Sequence, residues 1–515
     1  MLKKIILILL ICYYSSYSQN VIRFSKQYDF FDTNGSTSSY LSVNAFTVNN
    51  DYLLCGVVNT PSINQGLGIV RVDSVGTIKY QKQFNSPNNL RFTNGTANQA
   101  YIKLKNNNVL FTGQYVLGLD YFSACMARVN HTTGDTVWTK MYKQPGDTTY
   151  LLCSTELQDS SILSLGFRYY LIGTTLFSKP FMMNVDKNGT YKWHKWINTS
   201  WSNNNTLFLY QKIIKITDND FIVLGMKQTA VFNGFVMRID TNAVKQYEVN
   251  TPVLSSNTYF NDFIELQDGS YLACGNLYTA SGKTKKLVYN FNGTTGAKIK
   301  HKLYNVEANS NGLVTLIQKP NGIILLGGGT GANIPVNSVN ITGDILWINS
   351  NLDSLKSIYF NTPNAADQVS PNQIILTPDG GFASNISSYT FGSGLQQKFW
   401  LVKADSNGCY TSTCAAVGLN EFASTSSATI KIFPNPADDV LNVELLNLAS
   451  TGSATEIQII NTLGQVVHQS TIKTVTLSGV EGQQSTIDIK DLPEGVYQLK
   501  ISEGKKQRVL KFIKN

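Results

Sequence analysis

The chain has 515 residues, 42 % hydrophobic and 15 % charged, with 39 Gly, 26 Tyr, 25 Phe and a formal charge of +9. This composition excludes a disordered chain and a coiled coil, and the length calls for several domains or a repeat that grows by adding units. The thinly spread charge argues against a nucleic-acid partner, and the four His, at 131, 194, 301 and 468, are spaced too widely for a common zinc site, so no metal or other cofactor is expected.

The N-terminus reads as a secretory signal over residues 1–18: Lys3 and Lys4, an apolar run from Ile5 to Ile11, then Ser16, Tyr17 and Ser18 as a small-x-small cleavage site. The apolar run is too short to span a bilayer, and no later stretch approaches the roughly 20 residues needed, so no transmembrane segment is expected.

From residue 19 to 414 one pattern recurs: four short apolar runs separated by polar turns, the second run ending in Gly. The second runs close at Gly56, Gly113, Gly166, Gly225, Gly275, Gly327 and Asn385, at separations of 50 to 59 residues. Short runs of β-branched and aromatic residues bounded by Gly, Asn and Asp are strands, and four strands repeated seven times predict a seven-bladed β-propeller. The third strands end in Asp-x-x-Gly turns (Asp73 to Gly76, Asp186 to Gly189, Asp405 to Gly408), with a calcium loop as the functional alternative.

The fourth strand of the first unit, Thr77 to Phe84, matches Val21 to Tyr28 position by position, and the seventh unit lacks a fourth strand. Residues 21–28 are therefore expected to complete the seventh blade and close the ring. Tyr80, Phe24, Trp138, Trp193 and Trp347 align at one repeat position and read as packing residues. Lys26, Lys82, Lys140, Lys195 and Lys302 align on the outermost strand, where lysine discourages pairing with other molecules, and Arg71, Arg128 and Arg238 recur before the turns.

The second-to-third and blade-to-blade loops are long and varied, and carry residues that break the repeat: Arg168, Tyr169, Tyr170, Trp196 and Trp201. Aromatic faces beside an arginine suit a sugar or a protein partner, whereas the plainer reading is that they pack the loops together. Cys409 and Cys414 are expected to close a small disulfide loop in an oxidising compartment, the alternative being two free thiols.

Residues 415–429, rich in Ala, Ser and Thr, read as a linker, and residues 430–515 alternate as a small antiparallel β-sandwich. The segments Lys431-Ile432-Phe433-Pro434-Asn435-Pro436, Ile459 to Val467 with Asn461 and Gly464, Pro493-Glu494-Gly495-Val496-Tyr497, and the basic end Lys505 to Lys514 occur in order. In these the chain resembles the type A C-terminal sorting domain of type IX secretion system cargo. Pro434, Asn435, Pro436, Gly464, Gly495 and Tyr497 carry the resemblance; the family usually has Asp where this chain has Asn461. The resemblance implies a Bacteroidota-type envelope, handling by the type IX machinery, removal of the sorting domain, and release or attachment to the cell surface.

Two function classes then stand for the propeller. One is a binding or adhesion module for glycan or protein. The other is a secreted hydrolase acting on glycans, which would need two converging carboxylates. No Gly-x-Ser-x-Gly, His-Glu-x-x-His or phosphate-binding glycine loop occurs, so no catalytic residue is assigned.

Overall fold

The structure is a computed structural model and describes residues 22–28, 39–60, 63–84, 91–94, 99–116, 122–142, 148–172, 175–197, 207–228, 232–251, 257–279, 282–308, 311–331, 341–360, 367–390, 397–411, 429–446, 455–461, 465–472, 482–503 and 506–515. The expected signal segment and most of the expected linker lie outside these residues. The chain falls into two compact units, Met1–Ser412 and Thr413–Asn515.

The first unit is a seven-bladed β-propeller. Its blades are antiparallel sheets formed by residues 39–84, 91–142, 148–196, 207–250, 257–308, 311–360 and 367–404, the last completed by Phe24–Tyr28. In blade 2 the innermost strand is split into Arg91–Asn94 and Tyr101–Lys103, both paired with Val109–Val116. Blades 6 and 7 are linked by one parallel pair, Ile341 with Gln368.

Both faces of each blade are covered by neighbours, which is why the second strands are continuous apolar runs instead of alternating ones. Successive side chains point to opposite faces: Leu53 joins the apolar cluster shared with blade 2, and Leu54 the cluster shared with blade 7. Every pair of consecutive blades shares one such cluster. The cluster between blades 7 and 1 contains Phe24, Tyr28, Phe399, Leu401, Tyr52 and Leu54, so the ring is closed. Phe24–Tyr28 pairs antiparallel with the strand Gln397–Ala404, Phe24 opposite Lys403 and Tyr28 opposite Phe399. Trp400 Nε1 donates to Ser25 Oγ at 2.8 Å, and Arg23 lies 2.8 Å from the Asp405 carboxylate.

The recurrent glycine has a steric cause. The unbroken innermost strands of blades 1 and 3 to 6 bulge opposite it, as where the register shifts between Phe260 and Asp262. A Cβ on Gly275 would stand 1.9 Å from the Tyr259 carbonyl oxygen, so no other residue fits without moving backbone. The register also corrects two expected positions. The equivalent residue in blade 6 is Gly328, paired with Leu313, and in blade 7 it is Ile386, paired with Pro371; the neighbouring Gly327 and Asn385 follow the bulge.

The Asp-x-x-Gly turns are held by the preceding blade. In blade 3, Asp186 Oδ1 accepts from the amides of Asn188 and Thr190, Gly189 takes φ +80°, and Trp138 of blade 2 packs on that glycine while its Nε1 donates to Lys187 O. Tyr80 bonds likewise to His131 O and Tyr247 to Gly293 O. The lysines expected to guard an open edge are engaged in the same way. Lys26 donates to Val75 O, Lys82 reaches Asp135, Lys195 donates to Thr241 O and Lys302 reaches Asp353. Trp347 departs from the expected alignment: it lies on the third strand of blade 6, at the position of Arg71, Arg128 and Arg238, and pairs with Lys356. There the two roles are exchanged across the strand pair. Lys356 Nζ sits 4.7 Å from the Trp347 ring centroid, and Trp347 itself packs on Gly408 of blade 7.

Cys409 is disulfide-bonded, whereas Cys55, Cys125, Cys153 and Cys274 are buried thiols; the expected partner Cys414 lies outside the described residues.

The second unit is a β-sandwich. Strands Thr429–Phe433, Val440–Leu446 and Gly482–Asp488 form one sheet, and Thr455–Ile460, Val466–Ile472, Gly495–Glu503 and Lys506–Lys514 the other. Leu441, Val443, Ile457, Ile459, Leu499 and Phe512 fill its core.

Candidate functional site

A groove opens between blades 2 and 3, and the pairing of blade 3 explains what lines it. Thr149 stands opposite Arg168, and Arg168 opposite Lys179; Phe181 stands opposite Trp196, and Met183 opposite His194. These residues share the face turned to blade 2, and all of them but Lys179, together with Met141 and Tyr142, line a groove of about 300 Å³; Lys179 lies beside it, over the Trp196 ring. A bulge brings in one more residue, because the register shifts between the Asn184–Trp193 and Val185–Tyr191 pairs. Tyr191, three residues from His194, then reaches the same face, its hydroxyl 2.8 Å from His194 Nδ1.

Among the described residues the charged side chains at the groove are cations. The Arg168 guanidinium lies 5.9 Å and Lys179 Nζ 4.6 Å from the Trp196 ring centroid. Burial, and then the nearby Arg168 charge, lower the pKa of His194 from its ordinary 6.5. The imidazole is thus neutral at neutral pH, and Nδ1 can accept from the Tyr191 hydroxyl. No carboxylate occurs among the described residues that line the groove.

The structure divides the five residues singled out from the sequence. Arg168 and Trp196 line the groove together. Tyr170, two residues beyond Arg168 on the same strand face, stacks on Phe177 with ring centroids 5.2 Å apart. Tyr169 points the other way, stacking on Tyr150 at 5.5 Å against the cluster shared by blades 3 and 4. Trp201 lies outside the described residues. His194 and Tyr191 went unnoticed in the sequence because only the bulge puts them on one face.

A second cavity, of about 290 Å³, lies on the ring axis and is lined by first-strand residues of six blades. Its polar side chains are largely spent on the ring itself. Gln373 Oε1 accepts from Ala45 N at 2.6 Å, and the Gln99 amide bonds both Ile213 N and Ile213 O. The Asp262 carboxylate takes Lys212 Nζ at 2.7 Å and Leu316 N at 3.3 Å. The bulges leave backbone amides facing the axis, and these side chains satisfy them from blade to blade.

In the C-terminal unit the motif residues bind the last strand. Asn435 Oδ1 accepts from Ile513 N at 3.0 Å, Ala437 N donates to Ile513 O, and Asn515 N donates to Ala437 O. The Pro434-Asn435-Pro436 turn is thus fastened to the chain's end. Gly495 opens the strand that pairs with Lys506–Lys514, and Tyr497 donates to Pro493 O at 2.8 Å while its ring stacks on Phe512. Gly464 lies outside the described residues, but Asn461 Oδ1 accepts from Gln465 N at 2.9 Å, the bond an aspartate would make there.

Among proteins of curated function none is similar to the chain. Of solved structures, a protein of unknown function from Dyadobacter fermentans is similar over 75 % of this chain and 96 % of its own, at 10 % identity and a TM-score of 0.37. A polysaccharide lyase of family PL25, an ulvan lyase, is similar over 74 % of this chain and 96 % of its own, at 11 % identity and a TM-score of 0.48. No helix among the described residues is long and apolar enough to cross a membrane. Residues 431–515 match the secretion system C-terminal sorting domain. On that match the chain is a cargo protein of the type IX secretion system, exported to the cell surface or the medium.

Proposed function

We propose that the propeller is the working part of this cargo and acts as a binding or adhesion module for a glycan or protein ligand, with residues 1–18 as its export signal and 415–429 as the link to the sorting domain. The observation that carries this reading is the groove between blades 2 and 3, where Arg168, Trp196, His194 and Tyr191 converge on a rigid sheet face. The hydrolase reading finds less support. Of the described residues lining the two cavities, Asp262 alone is a carboxylate, and it is held by Lys212, Thr315 and Leu316.

Two experiments test this. The secreted protein and its Arg168→Gln variant are compared on a glycan array and in pull-downs from surface extracts. Binding lost in the variant at an unchanged melting temperature supports the site, and unaltered binding refutes it. Removing residues 430–515 should leave a folded propeller in the periplasm; normal levels of the truncated protein in the medium would contradict dependence on the sorting domain.

A further inference from the structure

The chemistry of the groove narrows the ligand class. Arg168 and Lys179 stand opposite each other on adjacent strands, and both lie over the Trp196 ring. His194, neutral at neutral pH, gains charge when the medium turns acidic, and the described lining contains no carboxylate. A pocket of this kind attracts negative charge, and an arginine presents the fork that binds a carboxylate or sulfate through two parallel bonds.

Flat surfaces adjoin the cations. Tyr191 is half exposed at the rim, and the Tyr170–Phe177 stack continues the sheet face beyond Arg168. Aromatic rings beside fixed hydrogen-bonding groups accept the C–H faces of sugar rings while the polar groups bind hydroxyl and acid groups. The volume, about 300 Å³, is at the small end of ligand pockets, which suits a short stretch of an extended chain better than a folded partner.

Resting on the binding-module reading above, we propose that the groove between blades 2 and 3 binds an acidic polysaccharide, its carboxylate or sulfate held by Arg168 and Lys179 and its sugar ring set against Tyr191.

The test uses the full chain in affinity gel electrophoresis with four polymers: polygalacturonate, dextran sulfate, neutral dextran and poly-glutamate. Polygalacturonate or dextran sulfate should retard the protein, while dextran and poly-glutamate do not. Arg168→Gln and Lys179→Gln should each weaken that binding at least about tenfold. Lys192→Gln, which removes the same charge from the exposed pair with Asp159, should leave it unchanged. An equal loss in the Lys192→Gln variant would reduce the effect to the net charge of +9 and overturn the proposal. Retardation by poly-glutamate that the same two variants abolish would overturn the choice of a glycan. Retardation by none of the acidic polymers, with a neutral or protein ligand found on the array or in the pull-downs, would overturn the acidic class while the binding-module reading stands. Circular-dichroism melting of each variant separates loss of the site from loss of the fold.

Discussion

Two junctions between blades treat a positive charge in opposite ways. Between blades 5 and 6, Lys286 is fully buried, and its ammonium meets the Asp344 carboxylate, which Thr330 also bonds. Between blades 2 and 3, Arg168 lines an open groove whose other described lining residues are apolar, aromatic or neutral polar, and Lys179 lies beside it over the Trp196 ring. Burial drives Lys286 down and Asp344 up in pKa, so each depends on the other to stay charged. A cation sealed inside the ring is matched from within. One placed at an opening stays within reach of solvent and of what it carries.

The strongest way to break this contrast is to remove one member of the sealed pair. Lys286→Met should destabilise the propeller by about 3–5 kcal/mol in urea unfolding, because Asp344 is left buried without its partner. Lys286→Met with Asp344→Leu should recover most of that loss. If the single variant were as mild as Arg168→Gln, the pair would not be sealed as described. Next in size is Gly275→Ala, for which the clash with the Tyr259 carbonyl predicts a loss of about 1–3 kcal/mol.

Arg168→Gln should change stability by no more than about 1 kcal/mol. A large loss would make the groove residues part of the scaffold.

The smallest effect concerns pH. The folded state holds His194 below its ordinary 6.5, so the unfolded chain takes up the proton first as pH falls. That contribution is complete above the ordinary value and is lost as pH drops through it toward the lower folded value. The melting temperature of His194→Gln should therefore fall slightly less than that of the parent between pH 8 and pH 5, two conditions that bracket the ordinary histidine value. An identical fall in both proteins would place the imidazole in solvent.

Much of the architecture was legible because a propeller repeats its constraints. The glycine opposite most of the bulges, the turn glycine under the preceding blade's ring and the doubly apolar second strand recur often enough to be counted. The match between Val21 to Tyr28 and Thr77 to Phe84 identified a strand that pairs far away in sequence. The site was less legible, since consecutive strand residues face opposite ways. Arg168 and Tyr169 were grouped by adjacency, although alternation alone would have sent one to blade 2 and the other to blade 4. The Tyr191–His194 contact depends on a local bulge, which leaves no compositional mark. Lys286 and Asp344 lie 58 residues apart, about one repeat, and occupy neighbouring positions on the third strands of successive blades. A polar residue interrupting both third strands was a usable sign of a contact between blades.

The shared seventh blade also orders events in time. Phe24–Tyr28 is synthesised before all seven blades, yet its partner Gln397–Ala404 emerges only when nearly the whole propeller has been made. Until then the early strand and the late blade each have an open edge, the state most prone to mispairing with another molecule. A chain cut short anywhere before residue 397 cannot satisfy either edge, nor can it carry the sorting domain encoded beyond it. Closure of the ring therefore works as a check on the late blade: a chain that stops before it can neither close the propeller nor carry the export address.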